Sequence, residues 1–254
     1  MIKRQIIVDN LNIQFYQSDC IGKEKLVILL HGWNSRAKHL KIIFQEMDNF
    51  IALDLPGFGE SDLPPVVWGV AEYANFLRRF LEKLEIEKPI LAGHSFGGSV
   101  ILKYLANGGR AEKIILVSPS GIRKRGMKIW FYKIVAKIAK SILSLPGASF
   151  FRDKIRIKAY KMIDSEDYIE AGALTESYKK IIREDLSEDM KKIQIKTILI
   201  WGEKDVATPL AQGELMQKFI KNSKLYIIKT AGHFSFVDQP EEFKKIFLRE
   251  INAD

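Results

Sequence analysis

The sequence predicts an α/β fold built on a mostly parallel sheet, and three observations lead to that prediction. Short, almost continuous apolar runs of strand length recur along the chain, as is typical of strands buried on both faces. Amphipathic helical stretches lie between these runs, so strands and helices alternate. The 254 residues are 47% hydrophobic and 28% charged, a composition that lets one large domain bury a core.

The predicted elements follow one another in order along the chain. Residues 4–8 and 13–16 have strand-like patterns on either side of Asp9-Asn10, a dipeptide typical of turns, and predict an opening hairpin. Doubly buried strands are predicted at residues 26–30, 50–53, 90–92, 113–117 and 197–201. Helices are predicted at residues 71–84, 210–220 and 241–251, and a further helix begins after residue 95.

The alternation of strands and helices fails between residue 121 and about residue 187, where only helical or irregular patterns occur. Pro119-Ser120-Gly121 at the start of this stretch and Pro146-Gly147 within it are turn signals. We interpret the stretch as a helical cap inserted into the fold. The predicted organisation is a core at residues 1–120, a cap at residues 121–187 and a second part of the core at residues 188–254.

The most specific motif is Gly93-His94-Ser95-Phe96-Gly97-Gly98, which directly follows a predicted strand and begins a helix. A G-x-S-x-G turn in that context holds its serine in a strained conformation at the carboxyl edge of the sheet. The flanking glycines let the two backbone segments pass closely. Ser95 is therefore the candidate nucleophile.

A serine hydroxyl needs a general base that is itself oriented by a carboxylate. His233 follows the last strand and is the candidate base. The other three histidines lie in turn motifs or on a predicted helix face (His31, His94 and His39). Asp205 is the candidate carboxylate in preference to Glu203, because it lies deeper in the loop after the strand at residues 197–201. It also comes just ahead of Thr208-Pro209, the predicted cap and first residue of the next helix.

The order Ser95, Asp205, His233 along the chain is the order found in α/β-hydrolases. The sequence resembles the cap-bearing serine hydrolases of the α/β-hydrolase fold through five motifs in sequence. These motifs are Leu30-His31-Gly32-Trp33, Asp54-Leu55-Pro56-Gly57-Phe58-Gly59-Glu60-Ser61, Gly93-His94-Ser95-Phe96-Gly97-Gly98, Trp201-Gly202-Glu203-Lys204-Asp205 and Ala231-Gly232-His233. The resemblance covers residues from about 25 to 254, apart from the predicted cap.

The resemblance implies an α/β-hydrolase fold with helices on both faces of the sheet and an inserted helical cap. It also implies that Ser95, Asp205 and His233 form a catalytic triad, and that the backbone N–H groups of Trp33 and Phe96 form the oxyanion hole. Dehalogenases and epoxide hydrolases of this fold carry an aspartate as nucleophile, so the serine argues against those activities. The side chains of Trp33 and Phe96 are expected to line an apolar acyl pocket.

We therefore expect a carboxylesterase-like serine hydrolase that cleaves small-molecule carboxylic esters through an acyl-enzyme. Metal-ligand spacings and a dinucleotide-binding G-x-G-x-x-G motif are absent from the sequence, so neither a metal nor a cofactor is expected. The same triad resembles that of C–C bond hydrolases, lactonases, perhydrolases and proline iminopeptidases. The basic charge of the predicted cap argues against the iminopeptidases alone. A ligand-sensing binding protein with residual hydrolysis is the alternative outside the enzymes.

The net charge of +9 is concentrated in the predicted cap. Residues 121–164 contain 12 Lys and Arg against 2 acidic residues, so the rest of the chain is close to neutral. No nucleic-acid-binding motif accompanies this charge, and nucleic acid is not an expected partner.

Residues 128–143 predict a basic amphipathic helix with lysines on one face. One interpretation is weak contact with an anionic membrane. The other, which we favour, is that the apolar face covers the active site while the lysines are solvated.

The sequence also carries signals about the compartment. The first residues lack the apolar stretch of a secretory signal, and the longest apolar runs are far shorter than a bilayer span. Cys20 is the one cysteine, so no intramolecular disulfide can form. These features predict a cytoplasmic protein.

Overall fold

A computed structural model describes residues 1–22, 25–123 and 172–253 of the chain. Its strands, numbered in chain order, are β1 (Ile2–Val8), β2 (Leu11–Gln17), β3 (Val27–Leu30), β4 (Phe50–Leu53), β5 (Ile90–His94), β6 (Ile114–Val117), β7 (Thr197–Gly202) and β8 (Ser223–Ile228). They form one sheet in the order β1-β2-β4-β3-β5-β6-β7-β8. The pairs β1–β2 and β2–β4 are antiparallel, and every other pair is parallel.

Helices cover both faces of this sheet. In the described ranges they are α1 (Lys41–Phe44), α2 (Val70–Lys83), α3 (Phe96–Ala106), α4 (Thr175–Ile181), α5 (Ser187–Met190), α6 (Leu210–Phe219), α7 (Ser235–Asp238) and α8 (Pro240–Asn252). Two 3₁₀ turns, Ala37–Leu40 and Gly172–Leu174, precede α1 and α4. Helices α2, α3 and α6 pack into one hydrophobic cluster, and α1, α7 and α8 pack into a second. The predicted α/β-hydrolase architecture is confirmed.

The central strands are continuous apolar runs because both of their faces are buried. In β3, Val27 and Leu29 belong to one hydrophobic cluster, whereas Ile28 and Leu30 belong to the other. Successive side chains of a strand point to opposite faces, so a strand between two helical layers needs an apolar residue at every position. This explains why the sequence located β3 to β7 to within two residues at either end.

The opening hairpin also matches its prediction. Asp9 and Asn10 both have positive φ, 52° and 63°, the left-handed backbone that a two-residue hairpin turn requires at both central positions. Asp and Asn tolerate this conformation better than most residues.

Strand β8 is the last strand, predicted ahead of His233, whose residues the sequence analysis did not give. It lies at the edge of the sheet and, among the described strands, pairs only with β7. Most of its residues are partly or fully exposed. A half-exposed edge strand lacks the continuous apolar run by which the other parallel strands were recognised.

Parallel strands place their carboxyl ends at one edge of the sheet, where ligands bind in folds of this class. Ser95 directly follows β5, Asp205 lies in the loop after β7, and His233 lies in the loop after β8. The topology therefore brings these three side chains, which are distant in sequence, to the same edge.

The predicted cap at residues 121–187 is described only at residues 121–123 and 172–187, where Gly172–Leu174 and α4 lie. The basic helix predicted at residues 128–143 lies outside the described residues. The cap boundaries remain a prediction. Across the described ranges, none of the helices has both the length and the apolar character that crossing a bilayer requires.

Candidate active site

Ser95 occupies a strained turn between β5 and α3. Its φ of 50° and ψ of −113° lie outside the regions that non-glycine residues ordinarily adopt, which costs about 1–3 kcal/mol. A Cβ added to Gly97 would lie 2.5 Å from the carbonyl oxygen of Leu30, and one added to Gly93 would lie 2.7 Å from the backbone of Gly97. Only glycine fits at these two positions. The turn therefore presents Ser95 at the strand end, as the motif predicted.

Asp205 and His233 are in direct contact. Nδ1 of His233 lies 2.9 Å from Oδ2 of Asp205, whose side chain is completely buried, whereas the His233 side chain is 16% exposed. An ionised carboxylate only accepts hydrogen bonds, so Nδ1 must be the donor. Nε2 of the neutral ring is then unprotonated and available as a base.

Further hydrogen bonds hold the Asp205 carboxylate in its ionised form. The backbone N–H of Thr208 donates to Oδ1 and the Thr208 hydroxyl donates to Oδ2, each at 2.9 Å. Burial alone would raise the pKa of Asp205, but the hydrogen bond and charge of His233 and the Thr208 N–H outweigh it, so the pKa lies below its ordinary value.

Thr208 is a residue of this site that the sequence analysis missed. It was predicted to cap the following helix, but α6 begins at Leu210 and receives no side-chain cap. The Thr208 hydroxyl instead lies 2.9 Å from Oδ2 of Asp205 and 3.3 Å from Nδ1 of His233. The prediction of a helix N-cap was wrong because the Thr-Pro pair looks the same in sequence in both cases. The threonine hydroxyl can bond to the first turn of the helix or to a nearby carboxylate.

Among the described residues, the Ser95 hydroxyl forms no hydrogen bond with His233, whose side chain has Asp205 and Thr208 as its hydrogen-bond partners. The two loops meet instead through His94, whose ring centroid lies 4.8 Å from that of His233. The structure thus joins Asp205 to His233 directly, and places the turn of Ser95 beside this pair.

Two backbone N–H groups near Ser95 have no partner in the described part of the chain. Phe96 is the first residue of α3, so its amide lies outside the hydrogen-bond pattern of the helix, and it donates to no described residue. The amide of Trp33 likewise has no acceptor there. A Cβ added to Gly32, next to Trp33, would lie 3.3 Å from Cβ of Ser95, so this loop is adjacent to Ser95.

Aromatic side chains form a cluster around these amides. The Trp33 ring lies 5.5 Å from Phe96, 4.9 Å from Phe58 and 5.2 Å from Tyr178, measured between ring centroids. Tyr73 of α2 packs edge-on against Phe96 at 5.0 Å. The sequence analysis expected Trp33 and Phe96 in an apolar pocket but did not assign the other three. Their contribution depends on loop and helix packing that leaves no local sequence signal.

Two further histidines are buried close to this edge of the sheet. Burial lowers the pKa of His31 to about 4, and that of His94 to about 3, where nearby His233 adds to the effect. His31 Nε2 accepts from the backbone N–H of Leu55 at 3.0 Å. Both rings are therefore neutral at neutral pH.

We expect the free energy of unfolding to fall as the pH drops from about 6.5 to about 4.5. The unfolded chain protonates both histidines near their ordinary pKa, whereas the folded chain does not, so the unfolded state binds more protons in this window. Each histidine contributes at most about 1.4 kcal/mol per pH unit. Urea unfolding across this range measures the slope. His31→Gln keeps an acceptor for Leu55 and should give a shallower slope. Equal slopes would contradict the assignment.

Comparison with known proteins supports the fold. The model of the alpha/beta hydrolase family matches residues 27–246. The "AB hydrolase superfamily protein YisY" of Bacillus subtilis (strain 168) is 26% identical, over 92% of this chain and 94% of its own. The "2-hydroxy-6-oxo-6-phenylhexa-2,4-dienoate hydrolase" of Comamonas testosteroni is 24% identical, over 90% of this chain and 89% of its own.

Solved structures give the same result. An esterase from Exiguobacterium antarcticum superimposes with a TM-score of 0.74 at 22% identity, over 99% of this chain and 100% of the esterase. At that identity the likeness shows the fold. Because the family model spans most of the sequence and the sheet and helices have the matching architecture, this chain is a member of the alpha/beta hydrolase family.

Proposed function

We propose that the protein is a serine hydrolase that cleaves carboxylic esters through an acyl-enzyme on Ser95. The observation that carries the proposal is the contact of His233 with the buried carboxylate of Asp205, at 2.9 Å, beside the strained turn of Ser95. A strained serine next to an oriented imidazole is the arrangement that nucleophilic catalysis needs. Membership of the family supports hydrolysis as the reaction class.

In the first half-reaction, Ser95 Oγ attacks the acyl carbonyl carbon and its proton passes to Nε2 of His233. The carbonyl π electrons move to oxygen, and the backbone N–H groups of Trp33 and Phe96 stabilise that oxyanion by about 3 kcal/mol each. Asp205 stabilises the imidazolium. When the tetrahedral intermediate collapses, the C–O bond breaks and His233 returns the proton to the departing alcohol.

In the second half-reaction, water attacks the acyl-enzyme by the same route and gives up its proton to His233. The carboxylic acid leaves as the proton returns to Ser95 Oγ, and the free enzyme is restored. The mechanism requires Nε2 of His233 to reach Ser95 Oγ. Catalytic hydrogen bonds of this kind commonly tighten only in the complex with substrate.

A C–C bond hydrolase is the second candidate, because the relative from Comamonas testosteroni is named for a dienoate substrate and aligns over nearly the whole chain. Both reactions can use the same three side chains. The aromatic cluster around Trp33 fits an apolar acyl group in either case.

A substrate panel separates these functions. We expect sustained turnover of p-nitrophenyl esters from acetate to decanoate, slower turnover of lactones, and none of a 2-hydroxy-6-oxo-dienoate. A fluorophosphonate probe should modify Ser95, as located by peptide mass spectrometry. Turnover of the dienoate alone would favour the C–C hydrolase. A single burst without turnover would favour a sensor, and labelling elsewhere would exclude Ser95 as nucleophile.

A further inference from the structure

His94 lies between the two parts of the candidate site. It is the last residue of β5, directly before Ser95, and is 5% exposed. Nε2 of its ring lies 3.0 Å from the backbone carbonyl oxygen of His233. A carbonyl only accepts, so Nε2 carries the proton and donates it to the loop that holds the proposed base.

The surroundings of His94 leave its ring little freedom. Phe236 packs edge-on against it at 5.2 Å, and the Phe234 ring lies at the same distance on a tilted plane. On the other side, a Cβ added to Gly32 would come within 2.9 Å of Nδ1 of His94. The imidazole therefore contacts the loop of His233 and the loop of Trp33. His94 itself directly precedes Ser95 in the chain.

Within the described residues, the other hydrogen bonds to the backbone of the His233 loop are made at neighbouring residues. The backbone N–H of Gly232 donates to Asp238 at 2.7 Å, and that of Lys204 donates to the carbonyl of Ala231 at 2.8 Å. The bond from His94 is the one within the described residues that fixes the main chain of His233 itself. It does so from the same short segment that carries Ser95.

We propose that His94 is a positioning residue that holds the main chain of His233 against the Ser95 turn, and so sets the distance between base and nucleophile. This inference rests on the proposed function. During acyl transfer His233 must exchange protons with both Ser95 and the leaving group, and an error of about 1 Å in such a placement can cost about 10²-fold in rate. A fixed main chain at residue 233 keeps the ring within that tolerance.

Two amide variants of His94 test the proposal. In His94→Gln the side-chain amide reaches the position of Nε2 and can still donate to the His233 carbonyl, whereas in His94→Asn it is one methylene too short. We expect His94→Asn to lower kcat by about 10²-fold with KM changed less than about threefold, and His94→Gln to recover most of the loss. The rate of fluorophosphonate labelling of Ser95 should follow kcat.

Tyr104→Phe is the matched control for lost stability. It removes a side-chain donor to the Arg110 carbonyl near the far end of α3, at 3.1 Å, away from the site. Thermal unfolding of all variants shows how much stability each loses. Equal kcat in His94→Asn and His94→Gln, or a loss no larger than that of Tyr104→Phe at equal stability, would overturn the role of His94. If Ser95→Ala keeps full activity, it is the proposed function that fails.

Discussion

Replacing Ser95 with alanine is expected to lower kcat for ester hydrolysis by about 10⁴- to 10⁶-fold. Ser95 Oγ is the atom that forms the covalent bond to the acyl group, and no other side chain of the turn carries a hydroxyl. Substrate binding should be nearly unchanged, because Ser95→Ala removes a single oxygen. The residual rate over water should come from binding and the amides of Trp33 and Phe96.

Steady-state kinetics on a p-nitrophenyl ester measures this loss, with mass spectrometry to check that no acyl adduct forms. Ser61→Ala is the matched control, since the Ser61 hydroxyl donates to the carbonyl of Asp54 at 2.7 Å and accepts from the N–H of Gln14 at 2.9 Å, away from the triad. Its kcat should stay within about threefold of wild type. If Ser95→Ala retains more than about a hundredth of the wild-type kcat, Ser95 is not the nucleophile.

The predictable parts of this molecule are those with a local signature. Strand β3 shows a continuous apolar run because both faces are buried, and Ser95 is identified by glycines that close contacts require. The edge strand β8 has no such run. A last strand was predicted ahead of His233, but without such a run its residues could not be given.

Side-chain partners across the site were harder to predict than the residues themselves. Asp205 could be chosen from its place after β7, but its burial and its hydrogen bond with His233 depend on how the ends of β7 and β8 meet. The contact between His94 and the His233 carbonyl joins residues 139 positions apart. Such pairings follow from the order of the strands in the sheet, and the local sequence around one partner does not predict the other.

Replacing Asp205 with asparagine should lower kcat by about 10⁴-fold, mainly by reversing the tautomer of His233. The Thr208 N–H donates to Oδ1 of Asp205, so the asparagine carbonyl should occupy that position and its NH₂ group should face His233. An NH₂ donor at the place of Oδ2 forces Nδ1 of His233 to accept. The ring proton then lies on Nε2, where the proposed mechanism needs a lone pair.

Glu203→Gln is the control for this substitution. It makes the same chemical change two residues away, at an exposed carboxylate that accepts from the Thr230 N–H at 3.0 Å. Its kcat should remain within about threefold of wild type. The labelling rate of Ser95 by a fluorophosphonate should fall with kcat in Asp205→Asn, because the same base activates the serine in both reactions. If the two variants have similar kcat values, the carboxylate that orients His233 is not Asp205.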